Sequence, residues 1–336
     1  MTSILTFNSH ETYVHDLARM GHPMDVVVDL PGHHVEGWDE RMRPVPHGVR
    51  LISLEEARAS RYACVIGHTI TDLLAVRSLP GARIFVAHGS LAGRIAQEQA
   101  QSDPQQVAAT LRHYLEAVGG IAVAVSEMKR ESWRLDAKVI RAGIEPNEYG
   151  GYRGEVASGL RVANHISQKS RVLRFELHEQ IFGEALPCRL VGVNPDRPGI
   201  APAPSWDALR TLYRSHRFFV HTAEPGLEDG YNLASLEAMA TGMPGICNAH
   251  PSCPVEDGVS GFVSDDPEVL RRGVRQLLDD PQLARRMGAA ARRSVRERFP
   301  MTDFVAGWRA VVEQSLARQA RSDRPRETRH SPRGRP

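Results

Sequence analysis

The sequence predicts an α/β protein of two Rossmann-like β/α domains in tandem, on three observations. Its 336 residues exceed what one hydrophobic core usually serves, a limit of roughly 250–300 residues. Short β-rich runs alternate with helical patterns along most of the chain, as in parallel sheets covered on both faces. The alternation pauses once, between Pro146 and Gly159, where Gly150, Gly151, Gly154 and Gly159 cluster among polar residues, and then resumes.

Residues 3–7 and 25–29 read as strands around a helix from Tyr13 to Met20, stopped at Gly21. Further strands are expected at Ala63–Ile66, Arg83–Ala87 and Ile121–Val125, with a helix at Gln105–Ala117. After the pause come strands at Arg161–Ala163, Cys188–Val193, Phe218–His221 and Gly245–Cys247. Helices are expected at Trp206–Arg214, Leu233–Ala240, Pro267–Leu278 and Pro281–Glu297. The first domain is therefore expected over 1–150, a linker over 151–160 and the second domain over 161–302. Phe304, Trp308, Val311, Val312 and Leu316 stand at helical spacing, giving a closing helix over 303–317.

Composition narrows the class. With 41% hydrophobic and 24% charged residues the chain is neither disordered nor fibrous. No apolar run approaches the ~20 residues needed to cross a bilayer, and the start lacks a basic n-region, so a cytoplasmic protein is expected. Cys64, Cys188, Cys247 and Cys253 form no C-x-x-C pair, which points to free thiols rather than zinc or disulfides. The net charge of +2 hides a basic end: from Arg318 onward seven arginines face only Asp323 and Glu327. The tail over 318–336 is expected to be disordered, either simply solvated or in peripheral contact with anionic headgroups at the inner membrane face. Nucleic acid is not an expected partner.

The richest segment runs from His221 to Pro244: a strand end, a loop with acidic residues and two glycines, then a helix stopped by Gly242 and Pro244. Free N–H groups and the dipole at such a helix start attract anions, which suits a diphosphate. Gly230 would let the backbone approach a ligand. Glu237, one turn into the helix, is placed to accept hydrogen bonds from ribose hydroxyls, and Asp229, eight positions earlier, from sugar hydroxyls.

This segment resembles the Glu-x7-Glu signature of retaining glycosyltransferases with the GT-B fold, the family 4 (group 1) enzymes, including the run Leu-Glu-Ala-Met-Ala-x-Gly-x-Pro at Leu236–Pro244. Glu256–Val263 resembles the family's Asp-Gly-x-Asn-Gly turn. Residues 277–299 are similar to its C-terminal helices, and Val125–Glu127 and Val139–Glu145 to segments near the domain junction. The resemblance implies two Rossmann-like domains facing a central cleft, with a nucleotide-diphosphate sugar on the second and a glycan, lipid or small-molecule acceptor on the first. No other cofactor is implied.

By the same resemblance Asp229 contacts the donor sugar and Glu237 the ribose, with Gly230, Tyr231, Asn232 and Leu233 around them. Asp229 departs from the family's Glu, and Glu228 would substitute if the loop shifted by one. Lys169 matches the family's phosphate-binding lysine, while its arginine is replaced by His165 or by Arg171. His88, after a strand end, matches a histidine near the transferred sugar; His68 is a second strand-end candidate. Where the family has a Gly-Gly pair, this chain has Asn8–Thr12, so His10 and Glu11 are candidates for acceptor or sugar hydroxyls, unless Ser9 and its neighbours merely cap a helix. Trp38 and Arg41, in the loop over 31–46, are acceptor-side candidates for stacking on a ring and gripping an anion. No Asp-x-Asp motif occurs, so metal-independent transfer is expected. Two alternatives stay open: a sugar-nucleotide epimerase on the same fold, and a non-catalytic or partner-dependent sugar-nucleotide-binding protein.

Overall fold

The computed structural model describes residues 3–31, 37–98, 101–183 and 185–322. The first domain holds strands β1 (Ile4–Phe7), β2 (Met24–Val27), β3 (Val49–Ile52), β4 (Cys64–Gly67), β5 (Ala82–Ala87), β6 (Ile121–Ala124) and β7 (Ala137–Val139). Between them lie helices α1 (Glu11–Leu17), α2 (Leu54–Ala59), α3 (Ile70–Ala75), α4 (Leu91–Glu98), α5 (Pro104–Ala117) and α6 (Glu127–Trp133). Every pairing is parallel, in the order β3-β2-β1-β4-β5-β6-β7. Strands β1, β4, β5 and β6 are buried throughout, which explains why, apart from Thr6 and Arg83, their residues are apolar or small.

The second domain holds strands β8 (Val156–Val162), β9 (Cys188–Val191), β10 (His216–His221), β11 (Gly245–Cys247) and β12 (Gly261–Val263). Its helices are α7 (Phe175–Phe182), α8 (Trp206–Ser215), α9 (Leu233–Thr241), α10 (Pro267–Asp279) and α11 (Pro281–Arg298). This sheet too is parallel, in the order β12-β11-β10-β8-β9. Strand order reverses between β1 and β4 in one sheet and between β8 and β10 in the other. Ligand crevices form beyond the carboxyl ends of strands at such points, and both points open on one cleft.

Several boundaries differ from expectation. The expected linker over 151–160 is cut short because β8 begins at Val156. Gly159 is a packing glycine, since a Cβ there would lie 2.5 Å from the Phe218 ring on the next strand. The first helix begins at Glu11 and ends in a 3-10 turn, Ala18–Met20, closed by left-handed Gly21. The edge strand β3 escapes the pattern because only Ile52 of its four residues is buried. The closing helix α12 spans Met301–Ser322, beyond the expected end at Ala317. Its Phe304, Trp308, Val311 and Val312 pack with Tyr13, Ile84 and Val123, so the last helix returns to the first domain's core. The basic stretch over 323–336 lies outside the described residues. The four cysteines are free, and no helix among the described residues is long and apolar enough to cross a membrane.

Candidate functional site

A cleft of about 730 Å³ lies between the carboxyl ends of the two sheets. On the second domain its wall is the loop between β10 and α9. Asn232 caps α9: its Oδ1 accepts from the Ser235 amide (2.8 Å) while Ser235 Oγ accepts from the Asn232 amide (2.9 Å). Leu233 and Ala234, the next two residues, line the cleft, and their amides have no hydrogen-bond partner among the described residues. Tyr231 lines it too and packs edge-on against Phe299.

Asp229 is buried, with Oδ2 3.0 Å from Lys129 Nζ and Oδ1 without a hydrogen-bond partner. Glu228 Oε1 lies 2.8 Å from the same ammonium. Lys129 stands on α6 of the first domain, so one cation bridges the domains through two neighbouring carboxylates. Burial acts to lower the lysine's pKa, but Glu228 and Asp229 outweigh it and hold it above its ordinary value. Glu228, half-buried, is pulled below its ordinary value by Lys129 against the effect of desolvation. Glu224 is half-buried at the side and pairs with Arg174 at 3.5 Å.

Gly230 does not line the cleft. A Cβ there would come within 2.8 Å of the Cys253 nitrogen and the His250 ring, and its amide donates to Ser252 Oγ at 2.8 Å. The glycine thus lets the loop over 250–253 pack beneath the acidic loop, a correction to its expected role against a ligand.

Glu237 is buried and already engaged. Its Oε1 accepts from Arg43 Nη2 at 2.6 Å and from the Tyr149 hydroxyl at 3.3 Å, and its Oε2 accepts from the Tyr213 hydroxyl at 2.9 Å. Arg43 comes from the first domain, its guanidinium stacked 3.3 Å over the Trp206 ring. Burial acts against its charge, but Glu237, then Tyr149 and Asp16, raise its pKa above the ordinary value. The phenols of Tyr149 and Tyr213 are pushed well up by burial and by the neighbouring carboxylate.

Lys169 and His165 line the cleft from the segment after β8. Lys169 makes no ion pair among the described residues; burial lowers its pKa, opposed by Glu228. His165 holds a left-handed backbone, φ 54°, and its amide donates to Val193 O at 2.9 Å. Arg171 is exposed and outside the cleft wall, so it does not take the place of the missing arginine.

From the first domain the cleft receives His10, His68 and His88. His10 stands at the N-cap of α1 with no side-chain capping bond, and its Nδ1 has no partner. The capping alternative therefore does not apply. His68 Nδ1 is 2.7 Å from His88 Nε2, and His68 Nε2 is 2.8 Å from Thr6 Oγ1.

Three acceptor-side expectations change. Glu11 is buried outside the cleft wall, with Oε1 accepting from Asn8 Nδ2 at 3.0 Å and the Asp39 amide at 3.2 Å, so it anchors the loop that follows β2. Trp38 does not line the cleft either; its Nε1 donates to Arg43 O at 2.7 Å and so braces the turn that delivers Arg43. Arg41 reaches the rim with its fork already on Asp39, at 2.8 and 2.7 Å. Residues 32–36 of this loop lie outside the described residues.

Sequence reasoning missed Lys129, Tyr149, Trp206 and Tyr213, and it placed Arg43 in a loop without its target. The available signal was weak: Lys129 follows the Val-Ser-Glu segment by two positions, and Trp206 and Tyr213 lie on one face of a strongly amphipathic helix.

Residues 200–294 match the model of a family described as glycosyl transferases group 1. Over 71 residues the chain is 39% identical to a D-inositol 3-phosphate glycosyltransferase of Streptomyces griseus, covering 20% of this chain and 15% of that protein. Over 101 residues it is 33% identical to an MMP alpha-(1->4)-mannosyltransferase of Mycolicibacterium hassiacum, covering 29% and 25%. The chain thus spans a quarter or less of the curated relatives it matches. Among solved structures, Anabaena Alr3699/HepE, in complex with UDP and glucose, superposes with a TM-score of 0.65 at 14% identity, over 94% of this chain and 100% of that one. Sucrose-phosphate synthase from Thermosynechococcus elongatus gives 0.63 at 16%, over 96% and 100%. The chain has the GT-B fold, and the part of it that matches the glycosyl transferases group 1 model lies in the second domain.

Proposed function

We propose that the protein transfers a sugar from a nucleotide-diphosphate sugar to a hydroxyl acceptor, with retained configuration and without a metal. The observation that carries the reading is a convergence. The amine of Lys169, which makes no ion pair among the described residues, the open amides at the start of α9 and the buried, half-satisfied carboxylate of Asp229 line one interdomain cleft.

The amine and the amides suit the two phosphates. Asp229 Oδ1 is an acceptor for a sugar hydroxyl, whose arrival would satisfy a buried atom that now has no partner. In the step itself the bond between the sugar carbon and the diphosphate oxygen breaks, and the acceptor oxygen bonds to the same face of that carbon. The acceptor's proton passes to the departing phosphate, whose charge Lys169 and the α9 amides stabilise. The nucleoside end would lie toward Glu237, Trp206 and Tyr213.

A second reading, a non-catalytic or partner-dependent sugar-nucleotide-binding protein, is favoured by one observation: Arg43 already holds Glu237 Oε1. Thermal shift with a panel of nucleoside diphosphates and nucleotide sugars, followed by assays of transfer and donor hydrolysis, separates the readings. The proposal expects a rise in melting temperature with one base, turnover, and loss of turnover in Lys169→Met, whose amine makes no ion pair among the described residues. Binding without turnover for any donor supports the second reading. No shift with any nucleotide overturns both.

A further inference from the structure

Thr6, His68 and His88 form a hydrogen-bonded line running from the centre of the first sheet into the cleft, and its directionality follows from counting protons. Thr6, fully buried on β1, has one hydroxyl proton, and its Oγ1 donates that proton to Ile66 O at 3.1 Å. It therefore accepts from His68 Nε2 at 2.8 Å. A neutral His68 with its proton on Nε2 has a lone pair on Nδ1, which accepts from His88 Nε2 at 2.7 Å. His88 must then carry its proton on Nε2 and its lone pair on Nδ1. That Nδ1 has no protein partner among the described residues and is not among the buried unpaired polar atoms, while the ring lines the cleft.

We propose that Thr6 and His68 are positioning residues that hold His88 in this one tautomer, so that the cleft presents a lone pair that takes a substrate hydroxyl and rejects an anionic oxygen. The inference rests on the sugar-transfer reading for the identity of the hydroxyl, a group on the donor sugar or the acceptor, but not for the tautomer itself.

The surroundings keep His88 neutral. Burial first, then His68, Lys129 and His10, lower the pKa of His88 well below its ordinary value. Tyr13 of α1 stands edge-on to His88 at 4.4 Å, and Asp72 of α3 accepts from the backbone amide of His68 at 2.7 Å, fixing the turn after β4. Protonating His68 would reverse the line: its Nδ1 would donate, His88 Nε2 would have to accept, and the His88 proton would move to Nδ1 and point into the cleft. Activity should therefore fall at acid pH as the polarity of the line inverts.

The test is nitrogen NMR of the full chain labelled with 15N-histidine, near neutral pH, with His88 assigned by its loss in His88→Asn. The expected spectrum has a protonated Nε2 and an unprotonated Nδ1 for His88. His68→Leu and Thr6→Val should each abolish the single-tautomer pattern. They should lower kcat about tenfold or more and leave nucleotide affinity unchanged. His68→Asn, whose side-chain oxygen can stand where Nδ1 stood, should restore both the pattern and the rate. A proton on His88 Nδ1 in the wild type, or an unchanged tautomer in Thr6→Val and His68→Leu, overturns the proposal. Should His68→Leu fail to fold, Thr6→Val and His68→Asn decide it. The spectrum needs no substrate, so its outcome is independent of whether the sugar-transfer reading survives.

Discussion

Arg43 Nη2 lies 2.6 Å from Glu237 Oε1, a buried ion pair that joins the first domain to the helix of the second domain most like the glycosyltransferase signature. Both side chains are nearly inaccessible, at 3% and 5% exposure, and the guanidinium is sandwiched against Trp206. A buried pair does little for net stability, because desolvation offsets attraction. Removing one partner is costly, on the order of 3–5 kcal/mol, because the other is stranded.

Arg43→Met should therefore lower the melting temperature of the free protein markedly. A ribose hydroxyl that donates to Glu237 Oε1 must displace Arg43 or share that oxygen, so the same substitution should enlarge the stabilisation given by a nucleoside diphosphate. Calorimetric titration and thermal melts read the two effects with opposite signs. A loss of both stability and nucleotide affinity would place Arg43 on the ligand and exclude competition for Oε1.

Lys129 makes another ion-pair contact between the domains, and it serves two carboxylates at once. In Lys129→Met the half-buried Glu228 and the buried Asp229 would stand together without a counter-charge, at a cost of roughly 3 kcal/mol. Adding Asp229→Asn should recover most of that stability without recovering transfer, because Asp229 would still lack a charged oxygen for the sugar. Urea midpoints for the two single variants and the double variant form the cycle. Additive effects would show that the lysine does not act on Asp229.

These two contacts mark what was legible in the sequence and what was not. The helix from Leu233 and its stop at Gly242 could be read, because capping residues and a left-handed glycine act within a few positions. The apolar spacing of Phe304, Trp308, Val311 and Val312 gave α12 for the same local reason, although not which domain it covers. Arg43 and Glu237 are 194 positions apart, and no local periodicity reports what a loop arginine will reach. His68 and His88 were visible as strand-end residues, but their contact depends on β4 and β5 being neighbours in register. Gly230 reads in the sequence as a glycine that admits a ligand and Gly159 as part of the pause between domains; each instead admits a neighbouring loop or ring, which only the fold supplies.

Gly230→Ala provides a direct check on that correction. The added methyl would meet the Cys253 nitrogen and the His250 ring at 2.8 Å, and overpacking of this kind costs about 1–3 kcal/mol. The urea midpoint should fall even without ligand. A fall seen only in the presence of nucleotide would return the glycine to its expected ligand-facing role.

Two histidines of the second domain give the fold an acid limit. Burial, then Arg161, lowers the pKa of His221 to about 4, and burial, then Arg161 and Arg197, lowers that of His178 to about 3. Both titrate near 6.5 in the unfolded chain, so below that pH the unfolded state binds more protons than the folded one. The stability these residues permit is complete above about pH 6.5 and is lost as pH falls toward their folded values. His178 is the cleaner probe, because it stacks on Phe175 at 4.9 Å, lies 4.8 Å from Phe182 and leaves Nδ1 buried without a partner. His178→Leu should remove roughly 2 kcal/mol of the stability difference between pH 7 and pH 5, without loss at pH 7, since no hydrogen bond at Nδ1 is broken. Urea titrations of both proteins at the two pH values measure it. Equal losses in wild type and variant would mean that His178 is already protonated in the folded state.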